Sequence, residues 1–399
     1  MDTAVSAPPE TGDKSRDHRR IGDIEMLRGF AVIYVLIEHL RINLFTGIGG
    51  QTERLYVYFG FQTGVDLFFA ISGFVIARSL LPTLAKAGTR AEYFNATLAF
   101  WVRRAWRLMP SAWLWLAVIL VATVFFNQSH AFGSFRANFE GTIAAMLDVA
   151  NFRIVEVYGR FEPGATFPYW SLSLEEQFYF LLPLIVLASG KRLPWVLGIA
   201  VIAQTFLVRS GAGATRFVLL LNQTRSDGLL LGVLIAIWSG RPTYRLFEPT
   251  VLTKHPALCV FVLSLLLVAL AAIGSDHLHI VSFPFGIVAV ISAVLVWLGS
   301  YNKDYLCPGG LAKRLLVWVG SRSYAIYLIH IPAYFMAREI WYRLAPPDTV
   351  FGPSYFWKLL LTALTLLVIM VELNYRLVEV PLRAKGARIA ERLAKRGVP

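Results

Sequence analysis

The stretch EMLRGFAVIYVLIEH, residues 25–39, decides the architecture of this chain. It is hydrophobic, with Arg28 near its start and His39 eleven residues later. At ~100° per helical residue, eleven residues come within ~20° of three full turns, so both side chains share one helix face, ~16 Å apart along the axis. Ionisable residues at membrane depth are costly and usually face a polar cavity. We therefore predict a membrane helix that lines a site, with Arg28 near the membrane surface and His39 well inside.

The composition is typical of a membrane protein. The 399 residues are 56% hydrophobic and only 16% charged, whereas a soluble domain has roughly 25% charged residues. Apolar segments long enough to cross a bilayer recur at 24–45, 61–81, 107–127, 170–189, 193–209, 216–238, 255–274, 280–300, 314–340 and 354–376. We predict an all-α, polytopic helical membrane protein with about ten transmembrane helices.

The basic residues predict the orientation. If the N-terminus lies in the cytoplasm, the loops that follow every second span carry most of the Lys and Arg, and the opposite loops carry few. The positive-inside rule favours this arrangement, with both termini cytoplasmic. The segment 139–153 is short and interrupted by Glu140, Asp148 and Arg153. It is predicted to be a re-entrant or interfacial helix, since counting it as a span would place the basic loops outside.

The chain divides into a membrane portion and two polar ends. Residues 1–20 are polar and lack an apolar segment, so we expect a disordered cytoplasmic tail and not a signal peptide. Residues 21–381 form the membrane portion, and 382–399 a basic cytoplasmic C-terminal tail that favours an amphipathic helix on the inner leaflet. Cytoplasmic loops and anionic headgroups explain the formal net charge of +13 without a nucleic-acid partner. Cys259 and Cys307 lack metal-ligand spacing, and no metal is expected.

Three polar residues in apolar surroundings are candidates for the site. Asp66, in the second span, needs a partner, and a histidine or an arginine of a neighbouring helix is the natural one. Paired with His39, it would hold one imidazole nitrogen and raise the basicity of the other. Arg104 and Arg107 share a helix face. Two interpretations are open for both arginines: anchors that follow the positive-inside rule, or a fork that binds phosphate oxygens. Arg28 also has a second interpretation, as an interfacial arginine that snorkels to the membrane surface.

A pair of acidic residues and a second histidine complete the set. WSLSLEEQFYF carries Glu175 and Glu176 among aromatic residues. Helix capping is one interpretation for one of these carboxylates, and the other could orient a sugar hydroxyl or pair with an arginine. SRSYAIYLIHIP places Tyr327 and His330 three residues apart on one helix face. A further polar group, NQTRSDG with Arg225, opens a later apolar segment but suggests no role.

Together and in this order, these motifs resemble the membrane acyltransferase 3 family, bacterial integral membrane enzymes that acylate, commonly O-acetylate, carbohydrates and some small molecules. The matching pieces are EMLRGFAVIYVLIEH, GVDLFFAISGF, RRAWRLMP, WSLSLEEQFYFLLP and SYAIYLIHIP. The resemblance extends from about residue 21 to 381, which we therefore expect to be the acyltransferase 3 membrane domain. One departure is Glu25, where the family most often has Asp. Larger members carry a C-terminal SGNH-type domain, and this chain is expected to be a stand-alone form.

The resemblance implies roles for particular residues. His39 is implied to be essential, and Arg104 with Arg107 to meet acyl-CoA on the cytoplasmic side of a bacterial inner membrane. The acceptor is typically a sugar on the outer face. We expect transfer of an acyl group, most commonly acetyl, from acyl-CoA to a carbohydrate hydroxyl. The expected residues are His39 as general base and Asp66 orienting it, Arg28, Arg104 and Arg107 on the CoA phosphates, and Glu175, Glu176, Tyr327 and His330 at the acceptor.

Other functions fit the sequence less well. The chain has no P-loop and no GxGxxG after a strand, which excludes conventional nucleotide-binding folds. A flippase or transporter without acyl chemistry also needs intramembrane charges, but its mark would be inverted repeats with broken helices, and no repeat is apparent in the sequence. Direct transfer and an acyl-histidine intermediate are both compatible with the residues.

Overall fold

The computed structural model describes residues 21–45, 51–207, 216–275, 284–347 and 349–395. The tail predicted at residues 1–20 lies outside the described residues. Every regular element within the described ranges is helical, which confirms the all-α class.

The helices are numbered in chain order. They are α1 (Gly22–His39), α2 (Gln51–Tyr58), α3 (Gly64–Ala85), α4 (Arg90–Phe125), α5 (Phe135–Met146), α6 (Ala150–Val157), α7 (Tyr169–Ser189), α8 (Leu193–Leu207), α9 (Arg216–Gln223), α10 (Asp227–Ser239), α11 (Pro242–Leu246), α12 (Val251–Lys254), α13 (Pro256–Ile273), α14 (Pro284–Ser300), α15 (Leu311–Ser321), α16 (Ser323–Leu344), α17 (Phe356–Asn374) and α18 (Val380–Lys395). A π-helical turn, Leu40–Leu44, continues α1, and another, Tyr375–Glu379, joins α17 to α18.

Several helices are long and apolar enough to cross a membrane. Within the described ranges these stretches are Phe61–Ala85, Arg90–Phe125, Tyr169–Thr205, Arg216–Ser239, Pro256–Ile273 and Pro353–Ala394. The protein is therefore a polytopic helical membrane protein, as predicted. The count of ten spans and the cytoplasmic position of both termini stay predictions.

The segment predicted as re-entrant or interfacial forms two short helices, α5 and α6. They meet at Asp148, which has a positive φ of 55°. Neither helix is long enough to cross a bilayer, since a span needs about 20 residues.

The third predicted span begins much earlier than expected. The sequence placed its start at residue 107, but α4 begins at Arg90 and runs for 36 residues. Hydropathy detects only the apolar half of this helix, whereas arginine is itself a good helix former. The Thr89 side chain caps the true start by accepting a hydrogen bond from the Glu92 amide. Arg104 and Arg107 therefore lie in the middle of a long helix and not at its entrance.

Two other predicted spans are divided. The segment 314–340 breaks at Arg322, between α15 and α16, and the segment 216–238 breaks at residues 224–226, between α9 and α10. The second break places Arg225 in a non-helical turn between two apolar helices. Continuous hydropathy concealed both breaks.

Glycines let α3 and α10 approach closely, in the manner of membrane helix pairs. A Cβ added to Gly73 of α3 would overlap the carbonyl oxygen of Leu229, and one added to Gly232 of α10 would overlap that of Ala70. The crossing carries Arg225, just before α10, to Asp66 on α3. Similar contacts join α1 to α15, where Gly320 lies against the backbone of Glu25.

The C-terminal helix α18 packs along α4. Gly386 lies directly against the Trp106 side chain, and the Lys385 ammonium is 5.0 Å from the centre of the Trp106 ring. The basic segment thus contributes to the wall of the membrane domain at the level of the α4 arginines.

Gly73→Ala should destabilise the fold by roughly 1–3 kcal/mol, because the added methyl group forces two packed backbones apart. The measurement is the thermal or denaturant unfolding of the purified protein in detergent. Gly198→Ala is the matched control, since nothing lies within 4 Å of the added Cβ there. Equal stability of the two variants would show that the α3–α10 crossing is not close.

Candidate active site

Two cavities lie along α1. We call the first the arginine cavity; its volume is about 70 Å³, and its polar lining includes Arg28, Ser72, Arg104, Arg107 and Glu175. The second, the histidine cavity, has a volume of about 320 Å³ and is lined by residues that include Glu38, His39, Gln62, Gln223 and Arg225. Val65 and Tyr327 line both cavities. The two spaces therefore adjoin at these two side chains.

The arginine cavity concentrates positive charge. Arg28 is paired with Glu25, its Nη1 lying 2.9 Å from Oε1. Arg104 and Arg107 make no ion pair within 4 Å in the part of the chain that the structure describes, and Arg104 instead lies 5.3 Å from the centre of the Tyr179 ring. Arg383 of α18 also interacts electrostatically with Arg107. Like charges in a partly buried space repel strongly, so this cavity is suited to an anion.

His39 is hydrogen-bonded to a second histidine. Its Nδ1 lies 2.8 Å from Nε2 of His330, and the two rings stack with centroids 5.0 Å apart. His330 is fully buried in α16, and its Nδ1 lies 2.7 Å from the carbonyl oxygen of Tyr327. The structure therefore brings together two histidines that are 291 residues apart in sequence.

These contacts fix the tautomers of the pair. A carbonyl oxygen only accepts, so His330 Nδ1 carries a proton and donates it to Tyr327. Burial disfavours a charged imidazole, so Nε2 of the neutral His330 is an acceptor. Nδ1 of His39 must then donate to it, which leaves the His39 lone pair on Nε2. That nitrogen has no hydrogen-bond partner within the described ranges, and the side chain lines the histidine cavity.

The predicted partnership of Asp66 with His39 is wrong. Asp66 is fully buried and pairs with Arg225, whose Nη2 lies 2.7 Å from Oδ1 and 2.8 Å from Oδ2. An arginine was one of the two partners that the sequence left open for this carboxylate. The close crossing of α3 and α10 decides the choice, because it places the guanidinium directly beside Asp66. His330 therefore orients His39 in place of the predicted carboxylate.

Glu175 and Glu176 share one space, and Glu175 also reaches a second one. Glu175 lines the arginine cavity, as does Ser72. Both glutamates line a smaller cavity of about 30 Å³ together with Asp148. Burial raises the pKa of Asp148 to about 6. Neither glutamate caps α7, which begins at Tyr169 without a side-chain cap, so both carboxylates are available to the cavities.

Tyr327 separates the two main cavities. Its hydroxyl donates to the carbonyl oxygen of Pro168 at 2.9 Å and lies 2.6 Å from Oγ of Ser171. Both contacts are buried, so the ring is held in place between the arginine cavity and the histidine cavity.

Two residues of the histidine cavity, Arg225 and Gln223, and Arg383 near Arg107 had no role in the sequence-based prediction. Arg225 was noticed as polar but had no assigned partner. Gln223 sits in an apolar stretch beside it, and Arg383 lay within a tail interpreted as cytoplasmic. An arginine inside an apolar segment was the one signal available, because such a residue requires a partner or a cavity. Within the described residues, no group of three or more His, Cys, Asp or Glu is placed to hold a metal ion.

Comparison with known proteins gives a consistent result. The model of the acyltransferase 3 family, described as an acyltransferase domain, matches residues 21–372. A Bacillus subtilis protein provisionally named peptidoglycan O-acetyltransferase YrhL is 29% identical over 399 residues, covering 94% of this chain and 57% of the relative. The O-acetyltransferase OatA of Staphylococcus aureus is 26% identical over 401 residues, covering 96% of this chain and 60% of the relative. The chain thus spans under two thirds of these relatives' length. No solved structure matches it.

The tautomer of His39 can be measured directly. Nitrogen-15 NMR of the full-length protein, labelled at histidine, should show His39 with its proton on Nδ1 and a bare Nε2. His330→Phe removes the acceptor and should release the ring into a mixture of tautomers. A wild-type His39 protonated on Nε2 would refute the assignment.

Proposed function

The chain belongs to the acyltransferase 3 family, and we propose that it transfers an acyl group, most commonly acetyl, from acyl-CoA to a hydroxyl of a carbohydrate. The observation that carries this proposal is the junction of two unlike cavities at Val65 and Tyr327. One has the charge for a phosphorylated donor, and the other has a basic nitrogen for an acceptor hydroxyl. The relatives are named as O-acetyltransferases, one of them for peptidoglycan, which supports a cell-surface glycan as the acceptor.

The arginine cavity is the proposed donor site. Arginine binds phosphate oxygens through two parallel N–H donors, and CoA presents several phosphates. Arg104 and Arg107 are the main anchors, since their charges have no ion-pair partner among the described side chains. Arg28 is partly neutralised by Glu25 and contributes at the edge. The acyl end of the donor would then point towards Tyr327 and the histidine cavity.

The histidine cavity is the proposed reaction centre. Nε2 of His39 accepts the proton of the acceptor hydroxyl while that oxygen attacks the thioester carbonyl carbon. The carbon–sulfur bond then breaks, the thiolate leaves, and the proton on Nε2 passes to the sulfur. The imidazolium formed in between keeps its Nδ1–H bonded to His330, which holds the ring in the productive orientation.

The membrane determines how the substrates reach each other. We propose a multi-pass protein of the bacterial inner membrane, with acyl-CoA entering from the cytoplasm and the glycan from the opposite face. Arg28 and His39 are eleven residues apart on α1, ~16 Å along the helix axis. The acyl group therefore crosses part of the membrane before it reaches the acceptor.

His39→Ala should lower acetyl transfer by at least ~10²-fold, because the general base is lost. The measurement is transfer of label from acetyl-CoA in membranes that contain the variant. Acetyl-CoA affinity should not change, since His39 does not line the arginine cavity. His255→Ala, at an exposed histidine, is the control and should transfer normally. Full activity of His39→Ala would exclude the mechanism.

Arg104→Ala should weaken acetyl-CoA binding by roughly 10–100-fold, the value of one charge-assisted hydrogen-bonded contact. Titration calorimetry on the purified protein measures it. Arg136→Ala is the matched control, because that side chain is 89% exposed and lies outside both cavities. If the two variants bind acetyl-CoA equally well, the arginine cavity is not the donor site.

A further inference from the structure

Arg225 lines the histidine cavity with part of its hydrogen-bonding capacity unused. It lies in the break between α9 and α10 and is 6% exposed. Nη2 contacts Asp66, while Nη1 has no hydrogen-bond partner in the part of the chain that the structure describes. The guanidinium also lies 4.0 Å from the centre of the Phe285 ring. A buried N–H group without a partner is costly. This cost indicates that the donor is satisfied when a molecule binds in the cavity.

Gln223 supplies the complementary group. Its Oε1 is also buried without a hydrogen-bond partner in the described ranges, and it lines the same cavity. Trp170 and Phe285 provide aromatic surface there. A few convergent polar groups among aromatic side chains are typical of a small-molecule site. A donor, an acceptor and aromatic faces together match the alternating hydroxyl groups and apolar faces of a sugar.

The charges around Arg225 determine which kind of sugar this part of the histidine cavity can bind. The Asp66 carboxylate already neutralises the Arg225 guanidinium, and the nearby buried Asp227 also interacts electrostatically with it. The group as a whole is therefore not positive. A carboxylate of a uronic acid would meet these two aspartates in a medium of low dielectric constant and be repelled. A neutral oxygen meets no such penalty.

We propose that Arg225 and Gln223 form an acceptor subsite for an uncharged sugar that carries hydroxyl or acetamido groups. Arg225 Nη1–H donates to a hydroxyl or acetamido carbonyl oxygen, and Gln223 Oε1 accepts from a hydroxyl or an amide N–H. This subsite rests on the proposed function, since it holds the glycan whose hydroxyl meets His39.

The test compares a neutral and a charged trisaccharide on the full-length protein in detergent. Saturation-transfer NMR titrations with the N-acetylglucosamine trimer and with the galacturonate trimer give the two affinities. The wild type should bind the neutral trimer, and the charged one roughly tenfold or more weakly. Absence of neutral-trimer binding, or stronger binding of the galacturonate trimer, would overturn the proposal.

Variants separate recognition from structural support. The double variant Asp66→Asn with Arg225→Gln keeps the charge balance of the buried pair and should bind the neutral trimer roughly 10–100-fold more weakly. Asp66→Asn alone should shift the preference towards the galacturonate trimer, an effect that a merely structural pair would not produce. Arg241→Gln, at an exposed arginine, is the control. If the double variant does not fold, Gln223→Leu tests the same subsite and should also lose affinity. Unchanged affinity in either variant would refute the subsite.

The outcome also distinguishes the subsite from the proposed function. His39→Ala should retain trimer binding while it loses transfer. A wild type that binds the neutral trimer through Arg225 but never transfers acetyl would leave the subsite intact and refute the acyl transfer. Normal transfer with an unaltered KM for the acceptor in the Arg225 variant would refute the subsite and leave the acyl transfer intact.

Discussion

Charge inside a membrane is stable only beside a partner or a cavity, and this constraint places every polar group of the site. Asp66 and Arg225 neutralise each other's charge across the crossing of α3 and α10. His39 and His330 are hydrogen-bonded to each other between α1 and α16. Arg104 and Arg107 lack an ion-pair partner among the described residues, so they open onto a cavity instead. The pattern of satisfied and unsatisfied groups thus marks where substrates are proposed to bind.

The hydrogen bond between the two histidines orients the ring of His39, the proposed base. A carboxylate hydrogen-bonded to His39 would have required a further buried negative charge beyond that of Asp66, and burying a charge is expensive. A neutral imidazole avoids that cost, and its bond to the Tyr327 carbonyl still fixes which nitrogen of His39 carries the proton. Buried neutral networks of this kind are rigid when every member is bonded. The lone pair on Nε2 is then available on the cavity side.

Tyr327 and Val65 link the donor and acceptor proposals. Each lines both cavities, so an acyl group that passes from the arginines to His39 must pass these two side chains. The buried hydrogen bonds of the Tyr327 hydroxyl hold its ring still. In the proposed reaction, a rigid divider at this point would shield the donor thioester from hydrolysis.

The sequence by itself determined the helical membrane class, the shared face of Arg28 and His39, and the order of motifs that identifies the family. These features follow from hydropathy and helical period, which are local properties of the chain. It missed the start of α4, the break at Arg225, and both partnerships, of Asp66 with Arg225 and of His39 with His330. Those depend on which helices cross closely, and the glycine contacts of Gly73 and Gly232 decide that only once distant segments are packed together.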